Sequence, residues 1–125
     1  MALVTEKMIV ESPDGTIWIF GDNLLRIGLG GQAKIARKFV ASGKAFGIPT
    51  KRSPGTYFHD QLDESEAVVD AFMKIQGMIH EGKKIIFFPN IGRGLARMEE
   101  MSPSILGYIR GSILDLVSAG LATEA

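Results

Sequence analysis

Thr16-Ile17-Trp18-Ile19-Phe20 is β-branched and aromatic, with no polar alternation after Thr16. A run of that kind suits a strand covered on both faces, as a parallel sheet requires. Upstream, Met8 to Val10 is a short apolar run that meets Ser12-Pro13-Asp14-Gly15. There proline presets φ and glycine accepts positive φ, so a hairpin into the 16–20 strand is expected. Downstream, after a glycine-rich loop, the spacing predicts a helix over 31–41. Its inner side carries Ala33, Ile35 or Ala36, Phe39 and Val40, and Ser42-Gly43 ends it. Ala45 to Ile48 reads as a short strand stopped by Pro49, and Thr50 to Gln61, with Pro54-Gly55 at its centre, as a long exposed loop.

The second half repeats the alternation. Asp63 followed by Glu66 has capping-box spacing, opening a helix to about His80 with Val68 or Val69, Phe72, Ile75 or Gln76 and Ile79 inward. Lys84 to Phe88 (KIIFF) is the most strand-like run in the chain, and Pro89 ends it. Met98 to Met101 reads as a polar approach to a last helix, which Ser102-Pro103 caps and which continues through Ile105, Leu106, Ile109, Ile113, Leu116 and Val117. The order implies one α/β domain over 1–125, three-layered, with a mainly parallel central sheet and helices on both faces.

Composition narrows the function. A chain of 125 residues with 46% hydrophobic side chains can bury a core, and 14 basic against 14 acidic side chains leave no field to attract nucleic acid. Nucleic acid is therefore not an expected partner. With no cysteine, disulfides, thiolate nucleophiles and cysteine-held metals are excluded, and His59 and His80 are too far apart in sequence to suggest a histidine metal site. The N-terminal apolar stretch is broken by Glu6 and Lys7, so neither a signal peptide nor a membrane span is expected and the chain reads as cytoplasmic. Neither a metal nor a resident cofactor is expected. Apolar surface on so short a domain could support a homodimer.

Ligands of open α/β sheets bind beyond the carboxyl ends of the strands. Three segments leave strands at that edge: Gly21 to Gly31, then Pro49-Thr50-Lys51-Arg52, then Pro89-Asn90-Ile91-Gly92-Arg93-Gly94-Leu95. Backbone amides in glycine turns point at anions without needing positive side chains, so two facing loops would clamp a phosphate-bearing nucleotide. The alternative is that these glycines only make tight turns and close helix–strand contacts. A P-loop needs Lys-Ser or Lys-Thr after its last glycine, and Gln32-Ala33 follows Gly31 instead. Gly28 to Ala33 fits the glycine fingerprint of dinucleotide folds, but Gly28 stands eight positions after Phe20, and no acid ends the next strand.

Phe20-Gly21-Asp22-Asn23-Leu24-Leu25, Gly28 to Ala33, and Phe88-Pro89-Asn90-Ile91-Gly92-Arg93-Gly94-Leu95 together resemble macro domains, modules that bind ADP-ribose and in some cases hydrolyse its conjugates. The chain is also similar to small macro-like proteins encoded by tailed phages, which implies a host cytoplasm. The resemblance covers roughly residues 16 to 115. It implies that Gly28, Gly30 and Gly31 with Ile91, Gly92, Arg93 and Gly94 hold two phosphates and that Asn23 meets the distal ribose. Gly21, Gln32, Thr50, Pro89, Asn90 and Leu95 would complete the ligand site, and Asn23 with Asp22 would be the catalytic pair in a hydrolase. The chain departs from the family pattern in being shorter than most macro domains and in carrying a single rather than a double asparagine motif. No early glycine-aspartate-isoleucine segment places an acid by adenine, and Leu95 stands where an aromatic often follows the second loop, leaving Tyr57 or Phe58 to stack.

For hydrolysis, Asp22 or Asp60 would deprotonate a water. Asp22-Asn23 equally suits a turn after a strand, Arg93 suits either phosphate or solvent, and Lys51-Arg52, just beyond a strand end, suits a solvated pair more than a phosphate contact. Two functions follow: hydrolysis of an ADP-ribose conjugate or NAD-derived signal nucleotide, such as those of bacterial immune systems, or sequestration of the nucleotide without turnover. A protein-interaction domain with empty loops is the third reading.

Overall fold

The computed structural model describes residues 3–125; Met1 and Ala2 lie outside the described residues. At the centre is β1 (Thr16–Asn23), with β2 (Ala45–Ser53) parallel to it on one side and β4 (Lys84–Phe87) parallel to it on the other. β5 (Ala122–Glu124) extends the β4 edge in parallel, and β3 (Thr56–Tyr57) runs antiparallel along β2. The strand order is β3-β2-β1-β4-β5, a five-stranded mixed sheet in an α/β fold. The sequence predicts a mainly parallel sheet. The antiparallel edge arises because Ser53-Pro54-Gly55 folds β2 back on itself, a turn read from sequence as part of an exposed loop.

Both faces are covered. Ile19 pairs with Phe87 in the ladder, and Phe72 of α3 (Leu62–His80) packs on Phe87 with ring centroids 6.4 Å apart. Tyr108 of α5 (Pro103–Ser118) meets Phe72 edge-on at 5.9 Å, so α3 and α5 share that face. Trp18 and Phe20 alternate to the opposite face. There Phe88 touches both rings, at 6.2 and 6.3 Å, Trp18 Nε1 donates to Ser12 Oγ at 3.2 Å, and the Arg37 guanidinium lies 5.9 Å over Phe20.

Several elements differ from expectation for identifiable reasons. Residues 8–10 are not a hairpin strand but part of α1 (Glu6–Glu11), capped by Thr5, whose hydroxyl accepts from the Met8 amide at 3.2 Å. β1 already has a strand on each side, so no edge remains for an N-terminal strand. The helix expected over 31–41 shrinks to α2 (Ala33–Ala36) and a 3₁₀ turn, Arg37–Phe39. The Phe39 carbonyl accepts from Lys44, which swings the chain back into β2. β2 passes through Pro49 and continues to Ser53. Pro49 lies beside a register shift between Asp22 and Asn23, and β3 begins pairing only at Lys51, so the missing donor removes no ladder bond.

The box that caps α3 is Gln61/Glu64 rather than Asp63/Glu66. Glu64 is fully buried, accepts from the Gln61 amide at 2.9 Å and the His59 amide at 2.8 Å, and pairs with Arg52. Phe58, read as part of an exposed loop, is completely buried in the core. Met98–Met101 is a short helix, α4, with Met98 buried rather than a polar approach. α5 begins at Pro103 as expected, whereas β5 has no counterpart in the sequence reading.

Candidate functional site

β1 leads to helix α2 on the Trp18 face, while β4 leads to α5 on the Phe87 face. Adjacent strands whose connections diverge to opposite faces open a crevice at their carboxyl ends. A cavity of about 320 Å³ lies there. Of the residues singled out from sequence, Gly21, Asp22, Asn23, Gly28, Gly30, Gly31, Gln32, Thr50, Asn90, Gly92, Arg93 and Leu95 line it. Pro89 and Gly94 instead line a neighbouring trough of about 590 Å³, whose walls include Val4, Ile35 and Phe88. Ile91 faces neither; it is fully buried in the core, so only its backbone belongs to the loop.

Gln32 and Asn90, with Gly31 and Arg93, border both spaces. The Gln32 side chain is a strut: its Oε1 accepts from the Gly21 amide at 2.8 Å and its Nε2 donates to the Pro89 carbonyl at 2.7 Å. It therefore ties the end of β1 to the start of the second glycine loop. Thr50 Oγ1 donates to the Asp22 carbonyl at 3.1 Å, which fixes the bulged end of β1 against β2.

The glycine loop supplies the donors. The backbone N–H groups of Gly28, Leu29, Gly30 and Gly31 have no hydrogen-bond partner among the described residues, and neither has that of Gly92. Positive φ at Gly28 (87°), Gly31 (57°) and Gly92 (91°) is backbone that a side chain would strain. Gly92 carries a second constraint, because a Cβ there would stand 2.7 Å from Leu106 Cδ1 and 3.1 Å from Met98 Sδ. Gly30 has neither constraint.

Among the described residues Asp22 is the only acidic side chain lining the cavity, and its side chain is 2% exposed. One oxygen accepts from the Asn23 amide at 2.8 Å and from Arg37 Nη2; the other accepts from Arg37 Nη1 at 3.2 Å and Arg26 Nη1 at 3.3 Å. Arg26 also donates to the Gly47 carbonyl. Asn23 is engaged in its own turn, donating to the Ile27 carbonyl at 2.8 Å and accepting from the Leu25 amide at 3.1 Å. One amide hydrogen and one lone pair remain to it for a ligand.

Asp60, the other candidate base, is not at the cavity. It clamps the start of α5, accepting from Ser102 Oγ at 2.7 Å, the Ile105 amide at 2.9 Å and the Ser104 amide at 3.2 Å. Partial desolvation pushes its carboxyl up, but the Ser102, Ile105 and Ser104 hydrogen bonds outweigh it and hold the group below the usual aspartate value.

The far rim comes from β2 and β3. Lys51, Pro54 and Tyr57 line the cavity, which places Lys51 on the ligand side of the two alternatives its sequence position left. Lys51 Nζ and the Arg97 guanidinium lie 5.2 and 5.7 Å from the Tyr57 ring centroid. Arg52 turns away to Asp63 and Glu64. The usable signal was Pro54-Gly55 between short β-prone flanks, a hairpin that returns Tyr57 to the strand end. Arg93 is half exposed and lies 3.6 Å from Glu99.

No cluster of three or more His, Cys, Asp or Glu that could hold a metal occurs among the described residues, and no described helix is long and apolar enough to cross a membrane. The model of a family of unknown function, DUF7831, matches residues 2–112. No curated protein and no solved structure matches the chain.

Proposed function

The chain belongs to the DUF7831 family, and we propose that it binds an ADP-ribose-type nucleotide in the crevice between β1 and β4, sequestering it rather than turning it over. The observation that carries this reading is the set of unpartnered glycine-loop amides around a cavity whose one carboxylate is neutralised by two guanidinium groups. Amides of that kind favour a multiply charged phosphate, and among the described residues no unpaired carboxylate lines the cavity to oppose it. The pyrophosphate occupies the glycine cavity, Asn23 meets the distal ribose, and the base lies in the trough against Phe88, Pro89 and Ile35. The likeness of these loops to those of macro domains supports the same assignment.

Hydrolysis is the weaker reading. It needs a group free to take a proton from water. Both Asp22 oxygens are engaged by arginine donors, and Asp60 stands elsewhere. Calorimetry with ADP-ribose, NAD and cyclic ADP-ribose isomers, followed by chromatography of each mixture after incubation, separates the readings. We expect binding with the ligand recovered intact. Recovery of cleaved products would establish a hydrolase, and no heat with any ligand at submillimolar concentration would eliminate the nucleotide assignment.

A further inference from the structure

We propose that Arg37 is the positioning residue of the first glycine loop, turning its peptide groups so that their N–H donors face the cavity as a preformed anion nest. The proposal rests on the anion-binding reading above and adds the device that builds the site. Arg37 Nε donates to the Gly28 carbonyl at 2.8 Å, and Nη2 donates at 3.0 Å to the Ile27 carbonyl, which Asn23 Nδ2 also holds at 2.8 Å. In a trans peptide the carbonyl and the following N–H point in opposite directions. Fixing the Ile27 and Gly28 carbonyls on the guanidinium therefore directs the Gly28 and Leu29 N–H groups away from it. Those two groups have no partner among the described residues, and Gly28 lines the cavity while Arg37 does not.

The guanidinium is itself held on two sides and largely shielded from solvent. Asp22 takes it as a two-pronged pair, the Phe20 ring lies 5.9 Å beneath it, and its side chain is only 19% exposed. A planar fork of five donors can span a carboxylate and two carbonyls at once, whereas an ammonium cannot. Asp22 thus acts on a ligand through Arg37, which accounts for a buried acid beside an anion site.

The test uses the full chain and inorganic pyrophosphate. Arg37→Lys keeps the charge but not the fork, so pyrophosphate affinity should fall roughly tenfold or more. In the ligand-free variant the ¹⁵N heteronuclear NOE of Gly28 and Leu29 should drop, while that of Gly92 stays unchanged. A purely structural role would lower Tm and leave affinity and the loop NOE alone; that result overturns the proposal. If the variant does not fold, wild-type protein decides the matter. A through-hydrogen-bond coupling from Arg37 Nε to the Gly28 carbonyl carbon, with Gly28 and Leu29 amides shifting on pyrophosphate titration, supports the proposal; shifts confined to the second loop overturn it. Absence of any pyrophosphate or ADP-ribose binding by wild type refutes the anion reading alone. The ligand-free NOE comparison or the coupling then still decides whether Arg37 orders the loop.

Discussion

At the residue scale, neighbouring glycines make different demands. A Cβ at Gly47 would lie 2.6 Å from both Cβ and Oδ2 of Asp22 and 2.9 Å from Arg26 Nη1. Gly47→Ala should therefore displace the Asp22 pair and lower stability by about 1–3 kcal/mol, measured by urea denaturation. Gly30 has nothing within 4 Å of its Cβ position and needs no positive φ. Gly30→Val should leave Tm within a degree or so of wild type while weakening ADP-ribose binding, because the side chain enters space the ligand uses. Equal affinity for the two proteins would remove the ligand from that side of the cavity. Gly92→Val cannot serve the same purpose, since its strained φ and its contacts with Leu106 and Met98 damage the core as well. The glycine loops were legible in sequence, but which glycine faces ligand and which faces core was not.

At the element scale, α5 depends on a residue outside it. Asp60 collects the Ser102 hydroxyl and the Ser104 and Ile105 amides, serving as a cap from a distant segment. Asp60→Ala should cost about 1–2 kcal/mol at neutral pH. Its folded-state carboxyl lies below the ordinary value, so the stability it adds is complete above the unfolded aspartate value, about 3.9, and is lost as pH falls through the folded value. The gap in Tm between wild type and Asp60→Ala should therefore close in acid; a gap that stays constant down to pH 3 would show that the charge is irrelevant. Ser102-Pro103 announced this helix, yet Asp60 lies more than forty positions upstream, and no local pattern links the two. The α3 start shows the converse. Asp63 and Glu66 have the right spacing, but the box sits two residues earlier, at Gln61 and Glu64, because burial selects Glu64.

At the scale of the whole molecule, β5 closes the β4 edge. The Ala125 amide donates to the Phe87 carbonyl at 2.9 Å, and Arg110 on α5 pairs with Glu124. Deleting residues 120–125 should expose that edge, cost roughly 1 kcal/mol per ladder bond lost and promote self-association, visible by size-exclusion chromatography. A monomer of unchanged Tm would show the strand to be dispensable. Ligand binding should act in the opposite direction, raising stability by about 2.7 kcal/mol at roughly 100 times Kd.

The chain's own pattern determined the α/β alternation, the strands at Thr16 and Lys84, the helix at Pro103 and the candidate role of three strand-end segments. Those signals are local: β-branched runs, a proline at a first helical turn, glycines after strands. Tertiary structure decided the rest. It gave both edges of β1 to β2 and β4, which left residues 6–11 to form a helix rather than a hairpin strand. It carried β2 past Pro49, where no ladder partner needed the missing donor, and so brought Lys51 and Tyr57 to the cavity. It also gave Asp22 its partners Arg26 and Arg37, since the partners of a buried carboxylate depend on which distant side chains the fold packs beside it.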